Sequence, residues 1–150
     1  MSGLYARHSD YLDRYVQLGL AGDRLISVSV PTAPDEDASD DHALLDRLFA
    51  YLEGVEDDFR DVEIGLTVPT THRNVIEQVR EIPYGDQLSV EALARITPGL
   101  DPDDPDDLDE VRAALAENPL PIVVPDHRVR DGPSAAPPEV EQKLRALEDL

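Results

Sequence analysis

The apolar residues of this chain follow two different periods, and the change from one to the other divides the chain near residue 68. In the first part, Ile26, Val28 and Val30 alternate with serines, which predicts a strand with one buried face. Residues 15–20 form the preceding arm, and residues 21–23 contain a glycine that suits a tight turn. We therefore predict a β-hairpin in this part of the chain.

A helix and a further strand are predicted to complete the first part. The leucines and the phenylalanine of HALLDRLFAYLEG recur at helical spacing, and Gly54 is a natural stop. In VEIGLTV, residues 62–68, every second residue is apolar, as in a strand with one buried face. Residues 1–68 are therefore expected to form a small α/β lobe.

The rest of the chain, residues 69–150, has helical spacing interrupted by loops rich in proline, glycine and acids. We expect a first helix capped by Thr70 or Thr71 and a short second helix capped by Ser89. A third helix follows an acidic loop, and a last helix begins at Pro138. The second and third of these helices form a candidate helix-turn-helix.

The charge of the chain is strongly negative, because 33 acidic residues stand against 13 basic ones and give a net charge of −20. A surface this acidic repels both other copies and nucleic acid at ordinary salt. In molar salt the Debye length falls to about 3 Å, and most of the repulsion is screened. Since the acids are interspersed with apolar residues, we interpret the charge as the salt-adapted, halophilic surface of a folded protein.

The residue types of the chain argue against several kinds of site and against a membrane location. The chain has no cysteine, which excludes disulfides, thiolate metal sites and a thiol nucleophile. Four histidines are present, but no HExxH or HxxxH spacing occurs, so we predict neither a metal site nor a cofactor. No apolar run could span a bilayer, and the N-terminus lacks the layout of a signal peptide. We expect a cytoplasmic protein without a membrane partner.

One short segment, PIVVPDHRVR at residues 121–130, concentrates polar residues typical of a site. A proline-bounded apolar run leads to Asp126, His127 and Arg128. The segment could be a catalytic constellation, a binding loop, or a site whose chemistry has been lost. A carboxylate next to a histidine could act in catalysis, but adjacent positions do not guarantee that the two side chains meet. Alternatively, Asp126 accepts backbone hydrogen bonds in the turn after Pro125, and its neighbours brace the loop.

The same segment is part of a longer ordered pattern. It comprises IPYG (82–85), Ser89, LA (93–94), NP (118–119) and PDHRV (125–129). In this order and spacing the pattern resembles the alkylguanine-DNA alkyltransferases and their alkyltransferase-like relatives, and the resemblance covers nearly the whole chain. It implies an α/β N-terminal lobe followed by a mostly α, winged helix-turn-helix-like C-terminal domain, with the boundary given above.

The resemblance also implies that the family's reaction is lost. In the family, an alkyl group passes to the cysteine of a PCHR motif, which a histidine activates and a downstream glutamate supports. Here Asp126 occupies the cysteine position, with His127 and Arg128 beside it, and Glu148 is only an approximate, out-of-register counterpart of the glutamate. The alkyltransferase-like relatives also lack the cysteine and bind alkylated DNA without repairing it. A catalytically inactive protein is therefore expected.

Positions that contact DNA in the family are changed as well. The tyrosine that turns the target nucleotide's phosphate falls on Val90, and the arginine that fills the vacated base-pair space falls on Asp109. The glycine-rich substrate loop is replaced by residues 132–138, and the acids of DPDDPDDLDE (101–110) oppose contact with phosphates. The residues that the resemblance still places at DNA are Tyr84, Ser89, Arg112, Asn118 and Arg128.

Two functions remain open at this point. One is an inactive alkyltransferase-like protein that binds double-stranded DNA at high salt and senses alkylated bases, with Arg73, Arg80, Arg128 and Arg130 lining its groove. The other is a repurposed module on the same fold that binds a protein or a small ligand and no DNA; the acidic linker and the changed substrate loop favour it. Turnover at Asp126 through an alkyl ester is disfavoured, because carboxylates are poorer nucleophiles than thiolates in this displacement.

Overall fold

The computed structural model describes residues 3–150, which begin with a three-stranded antiparallel sheet. Strands β1 (Gly3–Ser9), β2 (Arg14–Ala21) and β3 (Arg24–Ser29) lie in the order β1-β2-β3. The predicted hairpin is therefore present as β2 and β3, and β1 extends it. Helix α1 (Ala43–Leu52) follows and buries its leucines and Tyr51, as the helical spacing predicts. The N-terminal α/β lobe is thereby confirmed.

The predicted face of β3 is wrong at one residue. Ser27 pairs with Gly19 and Leu25 pairs with Leu20, so Ile26 is an extra residue without a partner in β2. Such a bulge interrupts the simple alternation of side chains along a strand. Leu25 consequently takes the buried position, whereas Ile26 is 44% exposed.

The strand predicted over residues 62–68 is not formed. Only two backbone hydrogen bonds join this segment to β3: the Leu25 N–H donates to Glu63, and the Gly65 N–H donates to Leu25, both at 2.9 Å. Two bonds around a single residue give an isolated bridge between Leu25 and Ile64 and no ladder. The alternating apolar side chains still pack against the core, so the period correctly indicated their burial but not their secondary structure.

The second part of the chain is helical, as predicted. It contains four helices: α2 (Thr70–Val79), α3 (Val90–Ile96), α4 (Pro105–Ala116) and α5 (Pro138–Leu147). A 3₁₀ turn at Asp126–Arg128 lies between α4 and α5. Helices α2, α3 and α4 pack together, and α5 packs against the 3₁₀ turn.

The cap predicted for α3 is observed, whereas the cap predicted for α2 is not. The Ser89 hydroxyl accepts a hydrogen bond from the N–H of Ala92 at 3.0 Å, so the predicted cap of α3 is confirmed. Thr70 and Thr71 do not cap α2, because both already lie within the helix or its first turn, and Pro69 occupies the N-cap position without a side-chain bond. Proline is compatible with a helix start, since the first N–H groups have no intrahelical acceptor.

The apolar core is continuous between the sheet lobe and the helices. It contains inward residues of β2, β3 and every helix. A backbone hydrogen bond also joins the two parts directly, because the N–H of Val28 in β3 donates to the carbonyl of Pro119 after α4 at 2.9 Å. The loop that follows Pro119 is thereby anchored between the lobes.

Candidate acceptor site and helix surface

The loop that leads to the acceptor position is buried and contains a strained residue. Residues 121–129 are all buried. Ile122 has a φ of 77°, a left-handed conformation that β-branched residues rarely adopt. Asn118 holds the turn from both sides: its Oδ1 accepts from the N–H of Leu120 at 2.9 Å, and its Nδ2 donates to the carbonyl of Val124 at 3.2 Å. Asn118, which was predicted to contact DNA, therefore faces the interior and positions the loop.

The carboxylate of Asp126 is enclosed by hydrogen-bond donors. Its Oδ1 accepts from the Ser134 hydroxyl at 2.5 Å, and its Oδ2 accepts from the Ala135 N–H at 2.9 Å and from the Asn118 Nδ2 at 3.0 Å. The residue is 1% exposed. Burial raises the pKa of Asp126, and the three hydrogen bonds only partly oppose this shift. The alternative in which Asp126 accepts backbone hydrogen bonds in the turn after Pro125 is thus wrong about the donors: one is the backbone N–H of Ala135, and the others are the side chains of Asn118 and Ser134.

The segment that replaces the family's substrate loop closes over Asp126. Ser134 and Ala135 belong to this segment, and Gly132 lies at its start against packed side chains. A Cβ on Gly132 would lie 2.7 Å from Leu115 and 3.1 Å from Val90, so nothing larger than glycine fits there without a shift. With this segment in place, Asp126 is almost completely shielded from solvent.

His127 does not form a catalytic pair with Asp126. Its Nε2 lies 2.6 Å from Glu148 Oε2 and 3.2 Å from the hydroxyl of Tyr51. Its Nδ1 is buried and has no hydrogen-bond partner among residues 3–150. Since the oxygens of Asp126 are occupied by other donors, the two neighbouring side chains belong to separate networks.

Glu148, which the resemblance makes only an approximate, out-of-register counterpart of the family's glutamate, lies beside His127 in the structure. It directly follows α5, and its carboxylate accepts from Arg128 Nε at 2.8 Å and from the Gly85 N–H at 3.0 Å. Burial opposes its ionisation, but hydrogen bonds from His127 and Arg128 outweigh burial and lower the pKa of Glu148 to about 2.

Arg128 is buried and is not available to DNA in this conformation. The residue is 2% exposed, and besides Glu148 it donates to Asp58 at 3.0 Å and to the carbonyl of Ile82 at 2.8 Å. Its guanidinium also lies 5.7 Å from the ring centre of Tyr84. Arg128 therefore joins α5, the IPYG segment and the sheet lobe, which agrees with the alternative in which it braces the loop.

Tyr51 is a member of this network that the sequence reasoning missed. Its hydroxyl donates to Glu148 and contacts His127, and burial raises its pKa. A signal was present, because Tyr51 lies on the same face of α1 as Leu44 and Leu48. A tyrosine on a buried helix face requires a partner for its hydroxyl.

The other residues predicted at DNA differ in accessibility. Tyr84 is half-buried, and its hydroxyl donates to the carbonyl of Leu147 at 3.3 Å. Ser89 is half-buried and uses its hydroxyl as the α3 cap. Arg112 is exposed on α4, where it lies 3.3 Å from Asp109. Of the five predicted residues, Arg112 alone presents its charged group to solvent.

Helix α4 begins with acids for a local structural reason. The carboxylate of Asp104 accepts from the N–H of Asp106 at 2.9 Å and caps the helix. Acidic side chains in the first turn are also favoured by the helix dipole. Further along, Asp109, Glu110 and Glu117 are exposed, so the outer surface of this second helix of the pair is negative.

Neither a membrane-spanning helix nor a cluster of metal ligands is found among the residues that the structure describes. Within residues 3–150, no helix is both long and apolar enough to cross a membrane. The same residues contain no group of three or more histidine and acidic side chains placed to hold a metal ion.

Comparison with known proteins identifies the family. Residues 70–148 match the model of the 6-O-methylguanine DNA methyltransferase, DNA binding domain. A methylated-DNA–protein-cysteine methyltransferase of Methanopyrus kandleri is 34% identical over an alignment of 132 residues, and the alignment covers 83% of this chain and 93% of the relative.

Two solved structures share the fold over almost the entire chain. The OGT of Mycobacterium tuberculosis in complex with DNA has a TM-score of 0.72 at 24% identity and covers 98% of this chain and 91% of its own. The O6-methylguanine-DNA methyltransferase of Pyrococcus kodakaraensis strain KOD1 has a TM-score of 0.74 at 19% identity, with coverages of 99% and 100%. With the matched domain and the archaeal relative, the predicted resemblance is confirmed: this chain belongs to the 6-O-methylguanine DNA methyltransferase family.

Proposed function

We propose that this protein is a catalytically inactive, alkyltransferase-like protein that binds double-stranded DNA in a repair context. The observation that carries the proposal is the state of Asp126, which occupies the acceptor position, is almost inaccessible and accepts three hydrogen bonds. The chain has no cysteine that could take over the acceptor role. The acceptor loop is therefore a structural element in this member of the family.

Alkyl transfer to Asp126 is opposed by geometry as well as by intrinsic reactivity. A nucleophilic oxygen must approach the sp³ carbon of the alkyl group in line with the bond that breaks. Both oxygens of Asp126 are already hydrogen-bonded, and two of the donors, Ser134 and Ala135, belong to the segment that replaces the family's substrate loop. The nearest histidine cannot assist, because its Nε2 faces Glu148.

DNA binding is supported by the matched domain and by the retained helix pair. The family match covers α2 to α5, and a protein with the same fold has been solved in complex with DNA. Arg112 supplies the exposed positive charge on α4. Recognition of an alkylated base in the family's manner would further require residues 132–138 to move away from Asp126, so damage sensing is coupled to opening of this segment.

A second candidate function is a module that binds a protein or a small ligand and no DNA. The observation that favours it is the surface of α4: residues 106–117 contain five acids and one arginine, Arg112, which is paired with Asp109. Like charges at this surface repel phosphates, and high salt that screens the repulsion also reduces the gain from counterion release.

Fluorescence anisotropy with duplexes that contain either O6-methylguanine or guanine tests the proposal across a series of KCl concentrations. We expect binding of both duplexes and tighter binding of the alkylated one. Arg112→Gln should weaken binding, whereas Arg95→Gln should not; Arg95 is the matched control, since it is an exposed arginine of α3 paired with Glu91 at 2.9 Å.

The outcomes separate the two functions. Equal affinity for both duplexes would retain DNA binding and remove damage sensing. Absence of binding at every salt concentration would contradict the proposal and favour the second candidate.

A further inference from the structure

A groove at the junction of the two lobes is lined by three arginines. Arg24 lies at the start of β3, and Arg73 and Arg80 lie on one side of α2 and at its end. We call this the arginine groove. Its volume is about 760 Å³, within the range of sites for small organic ligands, which often occur at such junctions.

The three arginines of the arginine groove form no close ion pair with an acid of the protein, although Glu77, Glu81 and Asp61 lie near enough to Arg80 to interact with its charge. Among the ion pairs of residues 3–150, none involves Arg24, Arg73 or Arg80. Glu77 is the carboxylate that lines the groove, so three positive charges and one negative charge leave a formal charge of +2. This is notable in a chain with 33 acidic residues and 13 basic ones.

Two of the arginines are held in place by carbonyl groups. Arg73 donates to the carbonyl of Leu66 at 3.1 Å, and Arg80 donates to three carbonyls of the 59–62 segment at 2.9 to 3.2 Å. The Nε of Arg80 is buried and has no hydrogen-bond partner within residues 3–150. Carbonyl groups fix a guanidinium in position without supplying a negative charge, and a bound anion would supply that charge at the exposed part of the groove.

Apart from its charged residues and Thr67, the lining of the arginine groove is apolar, and we call this part the Ile26 wall. It contains Ile26, which the β3 bulge turns outward, together with apolar side chains of residues 64–68 and Pro119. No aromatic residue lines the groove. Single-stranded nucleic acid is held mainly by stacking of its bases on aromatic side chains, so this wall suits the body of a small molecule better than a nucleic-acid strand.

We propose that the arginine groove binds a small organic phosphate, with the phosphate at Arg24, Arg73 and Arg80 and the apolar or planar body against the Ile26 wall. A phosphomonoester carries a charge of about −1.5 to −2 at pH 7, which matches the +2 of the lining. The planar fork of arginine pairs with two phosphate oxygens at once. The groove is separate from the acceptor loop, so the proposal does not depend on DNA binding.

NMR titration of the full 150-residue chain tests the proposal, with AMP as the probe and adenosine and inorganic phosphate as its two halves. We expect AMP to shift the amide signals of Gly65 and Leu66 and to bind more tightly than either half. Arg73→Gln and Arg24→Gln should each weaken AMP binding about tenfold, whereas Arg95→Gln should leave it unchanged. Arg80 is kept intact, because its carbonyl bonds support the fold.

Three results would overturn the proposal: no shift in the groove, equal affinity in the Arg73→Gln and Arg95→Gln variants, or tighter binding of oligo(dT) than of AMP at these amides. The last result would assign the arginine groove to nucleic acid. Thermal melts of each variant show whether a loss of binding reflects a loss of folded protein.

Discussion

The acceptor loop and the outer surface of α4 are neighbours in the chain but differ in almost every physical property. The loop, residues 121–129, is buried, and its polar side chains each have several partners. The α4 surface is exposed and acidic, and its Arg112 has one exposed partner, Asp109. Removal of a partner from a buried polar group is costly, whereas a surface substitution usually changes stability by no more than about 0.5 kcal/mol. Substitutions in the loop are therefore expected to change stability, whereas substitutions on the α4 surface are expected to change binding.

The largest effect is expected at Glu148. Glu148→Ala leaves the buried cation of Arg128 without its main partner and removes the acceptor of Tyr51. We expect the free energy of unfolding to fall by about 3–5 kcal/mol, measured by chemical denaturation. The control is Glu139→Ala, an exposed acid in the first turn of α5. Equal losses in the two variants would contradict the contrast between buried and exposed carboxylates.

A pH-dependent effect is expected at Asp126. Because burial raises its pKa in the folded protein, Asp126 stabilises the fold fully below its unfolded pKa, and this contribution is lost as the pH rises through the folded pKa. Asp126→Asn cannot ionise, and its amide can donate to Ser134 and accept from Ala135. The variant should therefore equal the wild type in acid and become the more stable of the two towards neutral pH.

Denaturation curves at a series of pH values measure this difference. Both proteins keep Glu148, whose pKa of about 2 makes its contribution fall as the pH decreases, so this change cancels in the comparison. If the wild type instead became the more stable of the two proteins as the pH rises, the result would contradict this prediction. It would show that the hydrogen-bond donors around Asp126 stabilise its ionised form.

A smaller effect, on binding, is expected at the α4 surface. Asp109→Arg introduces a positive charge at the position where the resemblance implies an arginine in the family, and it frees Arg112 from its partner. We expect about tenfold tighter binding of duplex DNA at low salt, with a steeper dependence of affinity on salt. Asp37→Arg makes the same charge change in an exposed loop of the sheet lobe and is the control. If both variants gain equally, the effect reflects net charge and not contact through α4.

The smallest effect is expected at the caps of the helices. Ser89→Ala removes the hydroxyl that accepts from Ala92 and should reduce the free energy of unfolding by about 1 kcal/mol. Thr71→Ala should change it by less than about 0.5 kcal/mol, because Thr71 does not cap α2. A larger loss of unfolding free energy in Thr71→Ala than in Ser89→Ala, measured in the same denaturation experiment, would indicate that Thr71 caps α2 after all.

Much of the fold could be predicted because periods and motifs are local. The helices, the hairpin and the Ser89 cap follow from neighbours within a few residues. The bulge at Ile26 could not be predicted, since it depends on the register between two strands. The segment 62–68 has the period of a strand but forms only two backbone hydrogen bonds with β3. The number of these hydrogen bonds depends on how the segment lies against β3, which the sequence does not indicate.

The site was predicted less completely for a related reason. The resemblance identified Asp126 as the replaced acceptor, and the absence of cysteine is visible in the sequence. It also placed Asn118 and Arg128 at DNA, but residue type cannot show towards which side a loop turns its side chains, and both face inward. The pairing of His127 with Glu148 joins residues on opposite sides of an irregular segment and appears only in three dimensions.

The central claim is that Asp126 is a structural residue that accepts no alkyl group. Incubation with a duplex that carries isotopically labelled O6-methylguanine, followed by intact-mass spectrometry and analysis of the small molecules released, tests it directly. We predict an unchanged protein mass, with the labelled methyl group retained in the DNA. A methyl ester on Asp126, or labelled methanol released by its hydrolysis, would contradict the account.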